Sequence, residues 1–172
     1  MKKLILYRHA KSDWSVSGQR DIERTLNKRG KSDAPLMAQI INKMLDDESI
    51  LILCSIAKRT RETLKPLSER LSSKIPVVFE EGLYESGGAS YIQILKTVSP
   101  KYDTVIVIGH NPSIEECTDY LAGGEDTYSV VSVPTATVIL MEIPVNNWKN
   151  IGGGMASVKS VITPKMLRKI AG

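Results

Sequence analysis

The chain has 172 residues, of which 42% are hydrophobic and 24% charged, with a formal net charge of +4. That is the make-up of one ordinary globular domain, residues 1–172, able to bury a core without cross-links. No apolar run approaches the roughly 20 residues of a membrane span, two cysteines form no disulfide framework, and scattered basic residues with 5% aromatics match no nucleic-acid motif.

The expectation is a cytoplasmic monomer with neither membrane nor nucleic acid as a partner, whose positive excess suits an anionic ligand. Residues 4–7 read as a buried strand that ends abruptly in Arg8 and His9. Residues 11–26 are polar and aperiodic, an ordered loop over the strand ends. Leu36, Met37, Ile40, Ile41, Met44 and Leu45 then recur at helical spacing, with Asp33 and Pro35 suited to the first turn. Residues 50–54 form a second buried strand. Ser55 suits the N-cap of a helix carrying Leu64, Leu67 and Leu71, which Pro66 should kink or displace at its start.

Residues 76–79 are a short third strand, and Gly87-Gly88 precedes a helix with Tyr91, Ile94, Leu95 and Val98. Residues 104–108, the most apolar strand, lead into Gly109 and His110. Asn111-Pro112 opens another helix, with proline at its first position and Glu115 and Glu116 complementing the dipole; Gly123-Gly124 ends it. A strand at 137–143, a hairpin into 155–162 and a short helix from Pro164 complete the chain. Alternating strands and helices predict an α/β fold: a single-domain three-layer sandwich, its mainly parallel sheet covered by helices on both faces.

Ligands of such sheets bind beyond the carboxyl ends of the strands. Both histidines of the chain, His9 and His110, sit at strand ends; Arg8 precedes the first. Arg59 falls in the first turn of the helix after the second strand, near exposed N–H groups. Two guanidinium groups, two imidazoles and a helix N-terminus make an anion site, with phosphate the natural guest. Phosphoryl transfer asks mainly for positioning and charge neutralisation, and a neutral histidine can divide it into two displacements. Lys11, Arg24 and Lys58 read as a solvated rim.

Four segments occur in register: Leu6-Tyr7-Arg8-His9-Ala10, residues 21–30, Ser55-x-x-x-Arg59 with Thr63, and Gly109-His110-Asn111-Pro112. In these the chain resembles the histidine phosphatases of the phosphoglycerate-mutase-like superfamily, in particular the short SixA-type phosphohistidine phosphatases, over essentially its whole length. The resemblance implies that His9 takes the phosphoryl group while Arg8, Arg59 and His110 hold its oxygens. It implies no metal or other cofactor, and as partner a phosphorylated histidine-containing protein or a small phosphorylated substrate. A mutase, or a non-catalytic binder of phosphoproteins, would keep the same pocket.

The departures from the family pattern are specific. Ala10 replaces the usual glycine of Arg-His-Gly, as in the SixA-like branch. Ser15 stands where mutase-type members place an asparagine that contacts phosphate. The mutase-type general acid aligns with Glu85, and Glu81 is an alternative nearer the strand end. An imidazole leaving group can depart neutral when its other nitrogen is protonated, whereas an alkoxide must be given a proton. A dispensable acid therefore favours phosphohistidine. Cys54 fails the Cys-x₅-Arg pattern of cysteine phosphatases because position 60 is Thr60, and it reads with Cys117 as core. Gly152–Gly154 fails the nucleotide-loop spacing because position 158 is Val158, and reads as a turn.

Overall fold

The computed structural model describes residues 1–45, 49–84, 87–126 and 131–171. Among them six strands form one sheet: β1 (Lys2–Arg8), β2 (Ile50–Ser55), β3 (Val77–Glu80), β4 (Thr104–Gly109), β5 (Val138–Ile143) and β6 (Ser157–Ile162), in the order β3-β2-β4-β1-β5-β6. β1, β2, β3 and β4 run parallel, and β5 pairs antiparallel with both β1 and β6. The order follows from composition. The unbroken apolar runs of β2 and β4 are buried throughout and lie inside the sheet, while the mixed strands β3 and β6 take its edges.

Alternate side chains of the strands enter two separate cores. Leu4, Leu6, Leu53, Val105, Val107 and Met141 pack beneath α3 (Gly87–Thr97) and α4 (Ser113–Gly123). Ile5, Tyr7, Ile52, Cys54, Ile106 and Ile108 pack beneath α1 (Lys28–Met44) and α2 (Lys58–Ser68), with Leu167 of α5 (Pro164–Ala171) against them. The period of two along each strand thus yields the expected three layers. Cys54 and Cys117 are both buried, unbridged core residues. The chain leaving β1 and β2 turns to one face and the chain leaving β4 turns to the other. This divergence opens a crevice over the carboxyl ends of these strands.

Several local expectations are corrected. Helix α1 starts at Lys28, and its cap is Asn27, whose side chain accepts from the Gly30 N–H; Asp33 and Pro35 lie inside the helix. The apolar stripe marks the buried face, and the polar first turn extends ahead of it. Ser55 caps nothing: it is the last residue of β2, and Ala57 precedes α2. Pro66 sits near the end of α2 and does not displace its start, since a proline this close to the C-terminus removes only a late hydrogen bond. Pro112 precedes α4 at the N-cap and not at its first position.

Candidate active site

The register of β1 on β4 pairs Arg8 with Gly109, so His9 and His110 each follow directly on neighbouring parallel strands. Neighbouring strands lie about 4.8 Å apart, and the two imidazole centroids are 5.1 Å apart. Residues separated by a hundred positions meet because the two strands end level. Both histidines are buried, at 8% and 7% exposure.

The His9 ring is oriented from its own side of the sheet. Its Nδ1 lies 2.7 Å from the Ala10 carbonyl oxygen, which can only accept. Nδ1 therefore carries the proton and Nε2 keeps its lone pair. Ala10 is held in turn, its N–H donating to Thr63 Oγ1 at 3.0 Å. Asn27 N–H donates to the Lys11 carbonyl, and a side chain at Gly30 would lie 2.2 Å from that oxygen. The glycine lets α1 clamp the chain just beyond His9. Burial, then Arg59, Arg8 and Arg24, hold the His9 pKa down at about 4, so the ring is neutral at physiological pH.

His110 is braced from three sides. Its main-chain N–H donates to Tyr91 Oη at 3.0 Å, and that hydroxyl donates to the Leu83 carbonyl. A side chain at Gly109 would strike Tyr91 Oη at 2.1 Å, which explains the glycine there. The ring lies between Ser55 and Arg59, with Nε2 2.8 Å from Ser55 Oγ and Nδ1 3.2 Å from Arg59 Nη2. Burial first, then the neighbouring His9 and Arg59, push its pKa down to about 3.

Three guanidinium groups, those of Arg59, Arg8 and Arg24, act electrostatically on His9. Arg59, 6% exposed, donates from Nη1 to the Asp21 carbonyl at 2.8 Å and from Nη2 to Asp21 Oδ2 at 3.0 Å. Arg8 donates through Nη1 to the Val133 carbonyl. Arg24 departs from expectation: it is 8% exposed, pairs with Asp21 Oδ1 and lies beneath the Trp14 ring, 3.4 Å from its centroid. It is part of the buried positive cluster and not of the solvated rim, whereas Lys11 and Lys58 are exposed as expected. Nε of Arg8, Arg24 and Arg59 and Nη1 of Arg24 are buried donors with no protein partner among the described residues. An oxyanion would satisfy such donors.

Asp21 is the carboxylate that ties this cluster together. Besides the two arginines, its Oδ2 accepts from Tyr84 Oη at 2.8 Å, and the Tyr84 ring meets His110 edge-on at 5.6 Å. Burial raises the Asp21 pKa, but Tyr84, Arg59 and Arg24 outweigh it and leave the group below the usual carboxylate range. Asp21 is ionised and is not a proton donor. Arg59, Tyr84, His110 and Asn111 are among the residues that line a cavity of about 320 Å³. Of the remaining sequence candidates, Ser15 is exposed on the loop after β1, and its main-chain N–H donates to Asp13 Oδ1. Glu81 is exposed at the head of a short 3₁₀ turn (Glu81–Leu83), and Glu85 lies outside the described residues. No local pattern singles out Asp21, Tyr84 or Tyr91 for these contacts, and Ser55, expected as a cap, faces His110 instead. The one available signal was that Asp21 and Ser55 belong to the four motif segments.

Residues 4–103 match the model of the histidine phosphatase superfamily, branch 1. An uncharacterised chloroplastic protein of Arabidopsis thaliana is 31% identical over 176 residues, covering 95% of this chain and 78% of that protein. The crystal structure of a candidate phosphohistidine phosphatase SixA from Agrobacterium tumefaciens superposes with a TM-score of 0.77 at 22% identity, covering 95% of this chain and 98% of that one. The protein histidine phosphatase SixA in complex with tungstate superposes with a TM-score of 0.74 at 19% identity, covering 96% and 99%. At these identities the structural likeness is one of fold.

Proposed function

The chain belongs to the histidine phosphatase superfamily, branch 1, and from that premise we propose that it is a metal-independent phosphatase that uses His9 covalently and acts on phosphohistidine in a signalling protein. The observation that carries this reading is the pair of neutral imidazoles 5.1 Å apart, with Arg59 against His110 and unpartnered buried N–H groups on the three arginines that act on His9. His9, with its proton fixed at Nδ1, has the Nε2 lone pair for in-line attack on phosphorus. The bond from phosphorus to the leaving nitrogen breaks as the bond to Nε2 forms. Arg8, Arg59 and His110 hold the equatorial oxygens, where charge develops. Water then attacks the phosphorus of phospho-His9, phosphate leaves and the imidazole is regenerated.

The choice of phosphohistidine rests on the leaving group. Among the described residues, Asp21 is a carboxylate that contacts the cluster, and it is held ionised with no proton to give. An imidazole whose distal nitrogen is protonated leaves neutral and needs none, whereas an alkoxide does. The test is phosphate release from a panel of histidine-phosphorylated proteins set beside phosphoglycerate and other small phosphomonoesters. A clear preference for the proteins is expected; preference for a small ester would replace this substrate with that class. His9→Ala should abolish both turnover and the acid-labile phosphoenzyme. Near-normal hydrolysis by that variant would remove the covalent mechanism.

A further inference from the structure

The hydrogen bonds around His110 compete for one proton. A guanidinium group only donates, so the 3.2 Å contact from Arg59 Nη2 requires a lone pair at Nδ1. The neutral ring then carries its proton at Nε2 and donates it to Ser55 Oγ, 2.8 Å away. Ser55 is fully buried, and this is the one bond its side chain makes among the described residues. In that tautomer the serine's own proton therefore lacks a protein acceptor. In the other tautomer Ser55 donates to Nε2 and is satisfied, but an Nδ1–H then confronts a guanidinium N–H. The first state leaves one buried donor unmatched and the second leaves two, each a destabilising desolvated group. An anion seated between Arg59 and His110 removes the conflict, because both donors then converge on one acceptor.

We propose that Ser55 is a positioning residue for His110: its hydroxyl accepts from Nε2–H in one state and donates to Nε2 in the other, so that His110 presents an Nδ1–H to a phosphoryl oxygen. This rests on the reading of the site as a phosphate site. The ring stays neutral overall, since Nδ1 takes a proton from solvent and Nε2 gives one up to solvent. The hydroxyl is separable from the fold here. The main chain of Ser55 is held independently, its carbonyl accepting from Thr60 Oγ1 at 2.7 Å.

The experiment is nitrogen-15 NMR of the histidine side chains in the intact protein, titrated with inorganic phosphate. Before phosphate, His110 should show a protonated Nε2 and an unprotonated Nδ1; at saturation the two signatures should exchange. Ser55→Ala should weaken phosphate binding by about tenfold, the equivalent of one ordinary hydrogen bond, and Ser55→Thr should restore it. If phosphate perturbs His9 while His110 keeps its proton at Nε2, the role of Ser55 is overturned and the phosphate site stands. If neither ring responds, the phosphate site fails and this inference with it. A His110 already protonated at Nδ1 before phosphate is added would also overturn it.

Discussion

Among the described residues, the charge cluster around Asp33 and the one around Asp21 are built on opposite terms. On α1, Asp33 is fully buried and paired with Arg29 at 3.4 Å and with Arg168 of α5. Both of those arginines keep about half of their side chains in solvent, at 58% and 47% exposure, so water shares the excess charge. At the strand ends, Arg24 and Arg59 are nearly as buried as the core, and they share one carboxylate, Asp21, with each other and with Tyr84. Two neutral imidazoles and several unmatched N–H groups complete that second cluster. The first arrangement clasps the terminal helix to α1. The second buries its arginines instead, on a carboxylate that is 43% exposed, and leaves donors to spare that fit an oxyanion.

The sharpest way to break this contrast is to delete charge at the strand ends. Arg59→Met should lower phosphate release per folded molecule by about 10²–10³-fold, the usual effect of losing one preorganised donor at a developing charge. Retention of activity would make Arg59 another structural clasp. Asp33→Asn should do the reverse. Its destabilisation should be on the order of 2 kcal/mol, below the range for a fully buried pair because its arginines remain partly hydrated. Denaturant unfolding checks the stability, and turnover per folded molecule should be unchanged.

Acid sharpens the contrast more gradually. An unfolded histidine titrates near 6.5, while His9 and His110 in the folded chain titrate at about 4 and about 3. Between those values the unfolded chain binds more protons, so stability is complete above 6.5 and is lost as pH falls toward 4 and below. Unfolding free energy measured between pH 7 and pH 4 should fall accordingly. His9→Gln with His110→Gln should flatten that slope, and an unchanged slope would assign it to other groups. The smallest effect is expected at the rim. Lys58→Ala, at an exposed position, should leave stability within about 0.5 kcal/mol, with turnover unaltered in the same assay.

The sequence by itself determined the layers and put both histidines at the ends of strands. Apolar runs that stop at Arg8-His9 and at Gly109-His110 carry their own signal, because a buried strand must end where polar side chains can meet solvent or a ligand. Ser55 is not a cap but faces a ring, because a serine between a strand and a helix looks alike in sequence in either role. Arg24 is buried and not at a solvated rim, because the Trp14 ring and the Asp21 carboxylate beside it act through space and leave no periodic trace. What only the tertiary structure decided is register: that β1 and β4 end level, that β2 brings Ser55 beside His110, and that Tyr91 reaches under Gly109. Side-chain periodicity says which face a residue occupies, but pairing between distant strands alone says which residue it will touch.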